Sequence, residues 1–144
     1  MRVVLDSNIL VRSFVSSRGL ARDLLLATLA GGHTLILSNE MLVEVARVLR
    51  YPRLMAVHGE SEGTIYDFAG WLRDAAEIIP LNPLMHAPIR DRNDIFVLQT
   101  ALSGEADVVC TGDRDFFAPP ASILLASYGI DILTDVALMR KLKG

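Results

Sequence analysis

Short runs in which nearly every position is apolar alternate along this chain with longer stretches whose apolar residues recur every three or four positions. The runs Arg2–Leu5, Thr34–Leu37, Ile78–Leu81, Asp107–Thr111 and Ile130–Leu133 have strand length and predict five β-strands. Between them, Leu20–Ala30 predicts a helix stopped by Gly31-Gly32. Glu40–Leu49 predicts a second, opened by Ser38 as a cap and ended before Pro52, so that Tyr51-Pro52 is a helix stop. Ile65, Phe68, Ala69, Leu72, Ala76 and Ile79 repeat at helical spacing and predict a third; Asp94–Leu102 and Asp135–Leu142 predict two more. Asn82–Pro88 and Ala118–Ala121 read as loops. Strands alternating with helices imply right-handed crossovers, and hence the α/β class: a central, mostly parallel five-stranded sheet flanked by helices on both faces.

Length and composition narrow this further. The 144 residues make one domain, 1–144. With 51% apolar and 22% charged residues the chain has the means to fold, unlike a disordered segment. The longest apolar stretch, Leu24–Ala30, contains Thr28 and stops well short of the ~20 residues that span a bilayer, so no membrane segment is expected. The amino terminus meets Asp6 too early for the ~7–15-residue apolar region of a signal peptide, which predicts a cytoplasmic protein. Cys110 stands alone and can form neither an internal disulfide nor a cysteine-based zinc site; His33, His58 and His86 fit no metal-binding spacing.

Charge is unevenly placed. Residues 1–59 carry seven arginines against four acids, whereas residues 60–144 carry seven bases against thirteen acids, for a net charge of −3. An acidic total disfavours nonspecific duplex binding, which draws its energy from phosphate neutralisation, but it leaves room for a local arginine patch. The only lysines are Lys141 and Lys143, so chemistry that needs an internal lysine is disfavoured.

The acids are the informative residues, because function in an open α/β sheet collects at the carboxyl ends of the strands. Asp6 directly follows Arg2–Leu5, and Asp113 follows Val108-Val109-Cys110-Thr111-Gly112. Each alone could be a turn or cap residue. Asp94 conflicts with its own helix: taking it as origin, Val97, Ala101, Leu98, Leu102 and Ile95 all lie between about 60° on one side and about 100° on the other. A carboxylate in the middle of an apolar stripe costs several kcal/mol unless it is paired or coordinated. Capping is the competing explanation, with Asp91 or Asn93 as alternative caps. Glu44 borders the apolar face of Met41–Ala46 and is placed to pair with Arg47 three residues on. Two acids ending strands, one turned inward at a helix start and one flanking a buried stripe can converge above one sheet edge. Carboxylates ~4 Å apart repel by about 4 kcal/mol per pair at an effective dielectric near 20, so such a cluster calls for protons or a cation. An oxygen-only donor set favours Mg²⁺ or Mn²⁺, and that metal suits phosphodiester cleavage by activated water.

Four segments carry a resemblance. Val3-Val4-Leu5-Asp6-Ser7-Asn8, then Leu37 through Val45, Arg90-Asp91-Arg92-Asn93-Asp94 running on to Ala101, and Val109-Cys110-Thr111-Gly112-Asp113-Arg114-Asp115-Phe116 resemble, in order, the motifs of PIN domains over nearly the whole chain. The resemblance is greatest to the small prokaryotic branch of toxins from type II toxin–antitoxin systems. It implies a single-strand-specific endoribonuclease dependent on Mg²⁺ or Mn²⁺, with Asp6, Glu44, Asp94 and Asp113 as catalytic and metal-binding acids. Asp115 corresponds to a further acid of many members, Thr111 to a hydroxyl beside the fourth acid, and Asn8 to a polar partner of the first. Ser7 stands where threonine is commoner, and Arg92 and Asn93 interrupt an acidic run, a departure that bears on a second metal. Arg12, Arg18, Arg47 and Arg50, with Arg22 and Arg53, are candidates for guiding RNA; solvated helix faces explain them equally.

Other functions stay open on the residues alone. A non-catalytic PIN-fold module binding RNA or protein would need no metal. A haloacid-dehalogenase-type phosphatase would want a second aspartate two residues after Asp6, where Asn8 stands, and an internal lysine. Leu24, Leu25 and Leu26 point around more than half of their helix, and Trp71 lies off its helix's apolar stripe. This excess predicts a homodimer face or a surface for a cognate antitoxin.

Overall fold

Parallel strands buried on both faces need continuous apolar runs, and β1 (Arg2–Leu5), β2 (Thr34–Leu37) and β4 (Val108–Cys110) have them: Val3, Val4, Leu5, Leu35, Ile36, Leu37, Val108, Val109 and Cys110 are all buried. In a computed structural model describing residues 1–144, these strands join β3 (Glu77–Ile78) and β5 (Asp131–Leu133) in one sheet of order β3-β2-β1-β4-β5. Every pairing is parallel, as the expected mostly parallel five-stranded sheet requires.

Nine helices complete the chain. From β1 the chain passes through α1 (Ser7–Val15) and α2 (Leu20–Ala30) to β2, then through α3 (Asn39–Leu49), α4 (Pro52–His58) and α5 (Glu62–Ala75) to β3. It returns through α6 (Arg92–Ser103) to β4, continues through α7 (Arg114–Phe117) and α8 (Ala121–Ser127) to β5, and ends in α9 (Asp135–Lys143). The chain winds outward from β1 to β3 and then crosses back to β4 on the other side of β1. With right-handed crossovers, this reversal puts helices on both faces and opens a crevice between the carboxyl ends of β1 and β4. No helix is long and apolar enough to cross a membrane.

Several expected boundaries are corrected. The third helix does not run to Ile79: α5 stops at Ala75, Ala76 is extended, and the Ile79 amide bonds to the Leu37 carbonyl at 2.8 Å. Pairing with β2 thus outcompetes the helical period over the last four residues. The strand expected over Ile78–Leu81 shrinks to Glu77–Ile78 plus that bond, because Pro80 has no amide to extend the ladder. Pro52 does end α3, yet it also occupies the first turn of α4, where a missing amide costs nothing. Ala121 belongs to α8 rather than to a loop. Leu24 and Leu25 are both buried because α2 packs against α1 and α9 at once, while Leu26 stays exposed.

Candidate functional site

The ends of β1 and β4 are tied by a polar relay. Asp6 caps α1: its carboxylate accepts from the Asn8 amide at 3.3 Å and from the Thr111 hydroxyl at 2.7 Å. The same hydroxyl accepts from the Asp113 amide at 3.0 Å, and Asp113 caps α7 by accepting from the Asp115 amide at 2.9 Å. Capping is therefore a true description of Asp6 and Asp113. Burial pushes the Asp6 carboxyl pKa up, against the hydrogen bonds from Thr111 and Asn8 that hold it down.

Asp94 has no such explanation. The cap of α6 is Asp91, which accepts from the Asn93 amide at 2.8 Å. Asp94, only 5% exposed, points inward with its Oδ2 facing no hydrogen-bond donor. Burial first, then the carboxylate of Asp113 and the fields of Asp6 and Asp91, push its pKa up to about 8. The pKa of Asp113 is pushed the opposite way, down, first by its interaction with Asp94.

Glu44, on the inner side of α3, is buried and chelated by Arg47: Nη2 lies 2.9 and 2.7 Å from the two carboxylate oxygens, and Nε lies 3.1 Å from Oε2. The helix pair foreseen from the spacing is thus formed, and it leaves Glu44 still facing inward. Asp6, Glu44, Asp94 and Asp113, together with Ser7 and Asn8, line one cavity of about 230 Å³. The two buried side-chain atoms without a hydrogen-bond partner, Ser7 Oγ and Asp94 Oδ2, both belong to residues of this lining. Asp94, Asp113 and Asp115 offer oxygens all within 4.8 Å of one another. Asp6 and Glu44 stand outside that closest trio, so Asp115, exposed and on the short helix α7, is more central than its sequence rank suggested. Only oxygen donors face this space and no lysine enters it, a set that fits Mg²⁺ or Mn²⁺.

The remaining candidates disperse. Arg12 reaches Asp135 on α9 at 3.4 Å, Arg50 stands 5.6 Å from the centroid of the Tyr66 ring, and Arg18 is exposed between α1 and α2. None of the three lines the acidic cavity. Two of the histidines serve the scaffold: the His58 ring bonds the Leu49 carbonyl at 2.9 Å, and His33 meets the amino terminus; His86 is exposed. Ser7 was read only as a departure from a motif. Its position beside Asp6 at a strand end was the available signal.

Comparison with known proteins gives a family match and a structural one. A family model described as PIN domain matches residues 2–115, a span containing all five acids. No curated protein sequence matches the chain. Among solved structures, a chain from the crystal structure of VapBC2 from Rickettsia felis bound to a DNA fragment from their promoter superposes with a TM-score of 0.58. The two are 15% identical, over 93% of this chain and 98% of that one, a likeness of fold.

Proposed function

The chain belongs to the PIN-domain family, and on that premise we propose that it is a Mg²⁺- or Mn²⁺-dependent, single-strand-specific endoribonuclease, the cytoplasmic toxin of a type II toxin–antitoxin pair. The observation that carries the reading is the Asp94 carboxylate, buried among acids with an oxygen that no donor satisfies. A buried charge in that setting is tolerable only with a proton or a cation. When bound, a divalent ion supplies water activation and stabilises the charge that develops on the phosphate.

The chain's own residues have separable tasks in this reading. Asp94, Asp113 and Asp115 would hold the ion, and Asp6 and Glu44 line the adjoining cavity together with Asp94 and Asp113. Thr111 fixes Asp6 and the Asp113 backbone in one register, so that two strand ends present their acids together. Arg47 holds the Glu44 carboxylate in its orientation. The unpartnered Ser7 hydroxyl is available to a water or a phosphate oxygen. The phosphatase alternative finds no support: Lys141 is engaged with Asp131 at the start of β5, at the opposite end of the parallel strands from the acids. The Rickettsia felis neighbour comes from a toxin–antitoxin complex, which supports a cognate antitoxin as partner here. A homodimer also belongs to this reading.

Purified protein incubated with single-stranded RNA should cut it with Mg²⁺ or Mn²⁺ and not in EDTA, and Asp6→Asn and Asp94→Asn should each lose at least about 100-fold in rate. Equal cleavage by all three proteins would refute the assignment. Metal binding by titration without any cleavage would favour a non-catalytic module.

A further inference from the structure

The acidic cavity does not end at Glu44. Glu44 and Asn93 also line a wider cavity of about 490 Å³, and this one shares Asn39 and Val43 with a third of about 470 Å³. The three spaces adjoin through these shared residues and follow one another from the acids across the outer side of α3, between the start of α6 and the middle of α5, as one groove crossed by Val43. We infer that this groove is the path of the RNA strand leading to the scissile phosphate, with Arg92 and Arg73 contacting its phosphates and Phe96 and Tyr66 receiving its bases.

The inference rests on the ribonuclease reading and on three further observations. The first is adjacency: Glu44 and Asn93 line both the acidic cavity and the next one, so a strand whose phosphate lies among the acids can leave over these two residues. The second is charge. Arg2, Arg12 and Arg47 are each bound to a carboxylate, whereas Arg92 and Arg73 are exposed and carry no ion-pair partner. Arg47 and Glu44 cancel, so Glu40 is the one acid of the outer groove set against two free guanidiniums, on a chain whose total is −3. The third is the apolar surface between them. Val43 is 66% exposed on a helix whose neighbouring positions Met41, Leu42, Val45 and Ala46 are buried, and Tyr66 is half exposed beneath the Arg50 guanidinium. Guanidiniums interleaved with aromatic rings are the chemistry of single-strand channels, where stacking tolerates any base and the charges follow the backbone.

The test uses a short fluorescein-labelled oligouridine and protein carrying Asp94→Asn, so that binding is read without cleavage. Arg92→Ala and Arg73→Ala should each weaken binding about three- to tenfold and flatten the slope of log affinity against log salt by about 0.7. Tyr66→Ala should weaken it about fivefold or more with little change in slope. Arg140→Ala, on α9 away from the groove, controls for a general charge effect. In protein that retains Asp94, Arg73→Ala should raise KM for RNA and leave kcat unchanged. Cleavage by wild-type protein with unaltered affinity and salt slope in the arginine variants would overturn the groove and leave the nuclease reading intact. Groove-dependent binding by a protein that never cuts would do the reverse. A dimer by light scattering that Arg73→Glu dissociates, with RNA affinity unchanged, would show the face to be a contact between copies and would also overturn the inference.

Discussion

Replacing Asp94 by asparagine should make the metal-free protein more stable at pH 8, not less. In the unfolded chain this carboxyl titrates near the ordinary aspartate value, whereas in the folded protein burial and the neighbouring Asp113 hold its pKa up to about 8. Between those two values the native state binds more protons than the unfolded state, so stability falls as pH rises from about 4 to about 8. Four units at roughly 1.4 kcal/mol each set an upper bound of about 6 kcal/mol. Asp113 shifts the opposite way: its lowered pKa contributes stability that is present above about pH 4 and lost in more acidic solution, which returns part of the cost. A net loss of about 2–3 kcal/mol is expected at pH 8, or roughly 8 °C in Tm for a chain of this length. An amide at position 94 carries no charge to desolvate and can donate to Asp113, so the variant should show little of this dependence. Thermal unfolding in EDTA from pH 5 to pH 8, followed by circular dichroism, measures both curves. Divalent metal should act on the wild type alone, adding about 2.7 kcal/mol at a hundred times its dissociation constant. A wild-type Tm that does not fall between pH 5 and pH 8, or a variant less stable than wild type at pH 8, would refute the reasoning.

Two other perturbations probe the scaffold beneath the acids. Thr111→Val removes the donor to Asp6 and the acceptor for the Asp113 amide, so it should cost about 2–4 kcal/mol by denaturant unfolding, with Thr111→Ser recovering most of the loss. Gly104→Ala, at the end of α6, would place a methyl group 2.8 Å from Ile36 Cγ2 and 2.9 Å from the Thr100 carbonyl oxygen, and should lower stability by about 1–3 kcal/mol without changing metal affinity measured by titration.

The readable parts of the fold were those whose pattern is local and redundant. Val3 to Leu5, Leu35 to Leu37 and Val108 to Cys110 are apolar at every position because both faces of the sheet are covered, and such runs declare themselves. Helix α1 was passed over because it begins at the residue after Asp6, with no loop to separate it from the strand. The short helices α7 and α8 offer too few turns for a period to show. At the end of α5 the local pattern was misleading: Ala76 and Ile79 extend the helical spacing, and only the presence of β2 alongside decides that they leave the helix.

The acids show the same division between local and tertiary information. Asp94 was conspicuous in the sequence because a helix wheel exposes a charge on an apolar face, and the structure removes the competing explanation by giving the cap to Asp91. Asp115 is marked in the sequence by the family resemblance alone, because no helical or strand period sets it apart. Asp113 is its neighbour through the cap of α7, but its closeness to Asp94, on α6, arises only in the folded chain. Glu44 shows why pairing alone is a poor criterion for dismissing an acid. An exposed pair three residues apart on a helix contributes a few tenths of a kcal/mol, and neither partner need be buried for it. Here the guanidinium of Arg47 stays half in solvent while the carboxylate it holds is buried, so the pair is oriented, with its negative end directed at the cavity. Arg47 therefore offsets part of the repulsion among the acids without filling the space between them. That leaves the proton favoured on Asp94 by its raised pKa as the charge a divalent ion must displace. Metal affinity should accordingly tighten with rising pH up to about 8, and level off above it.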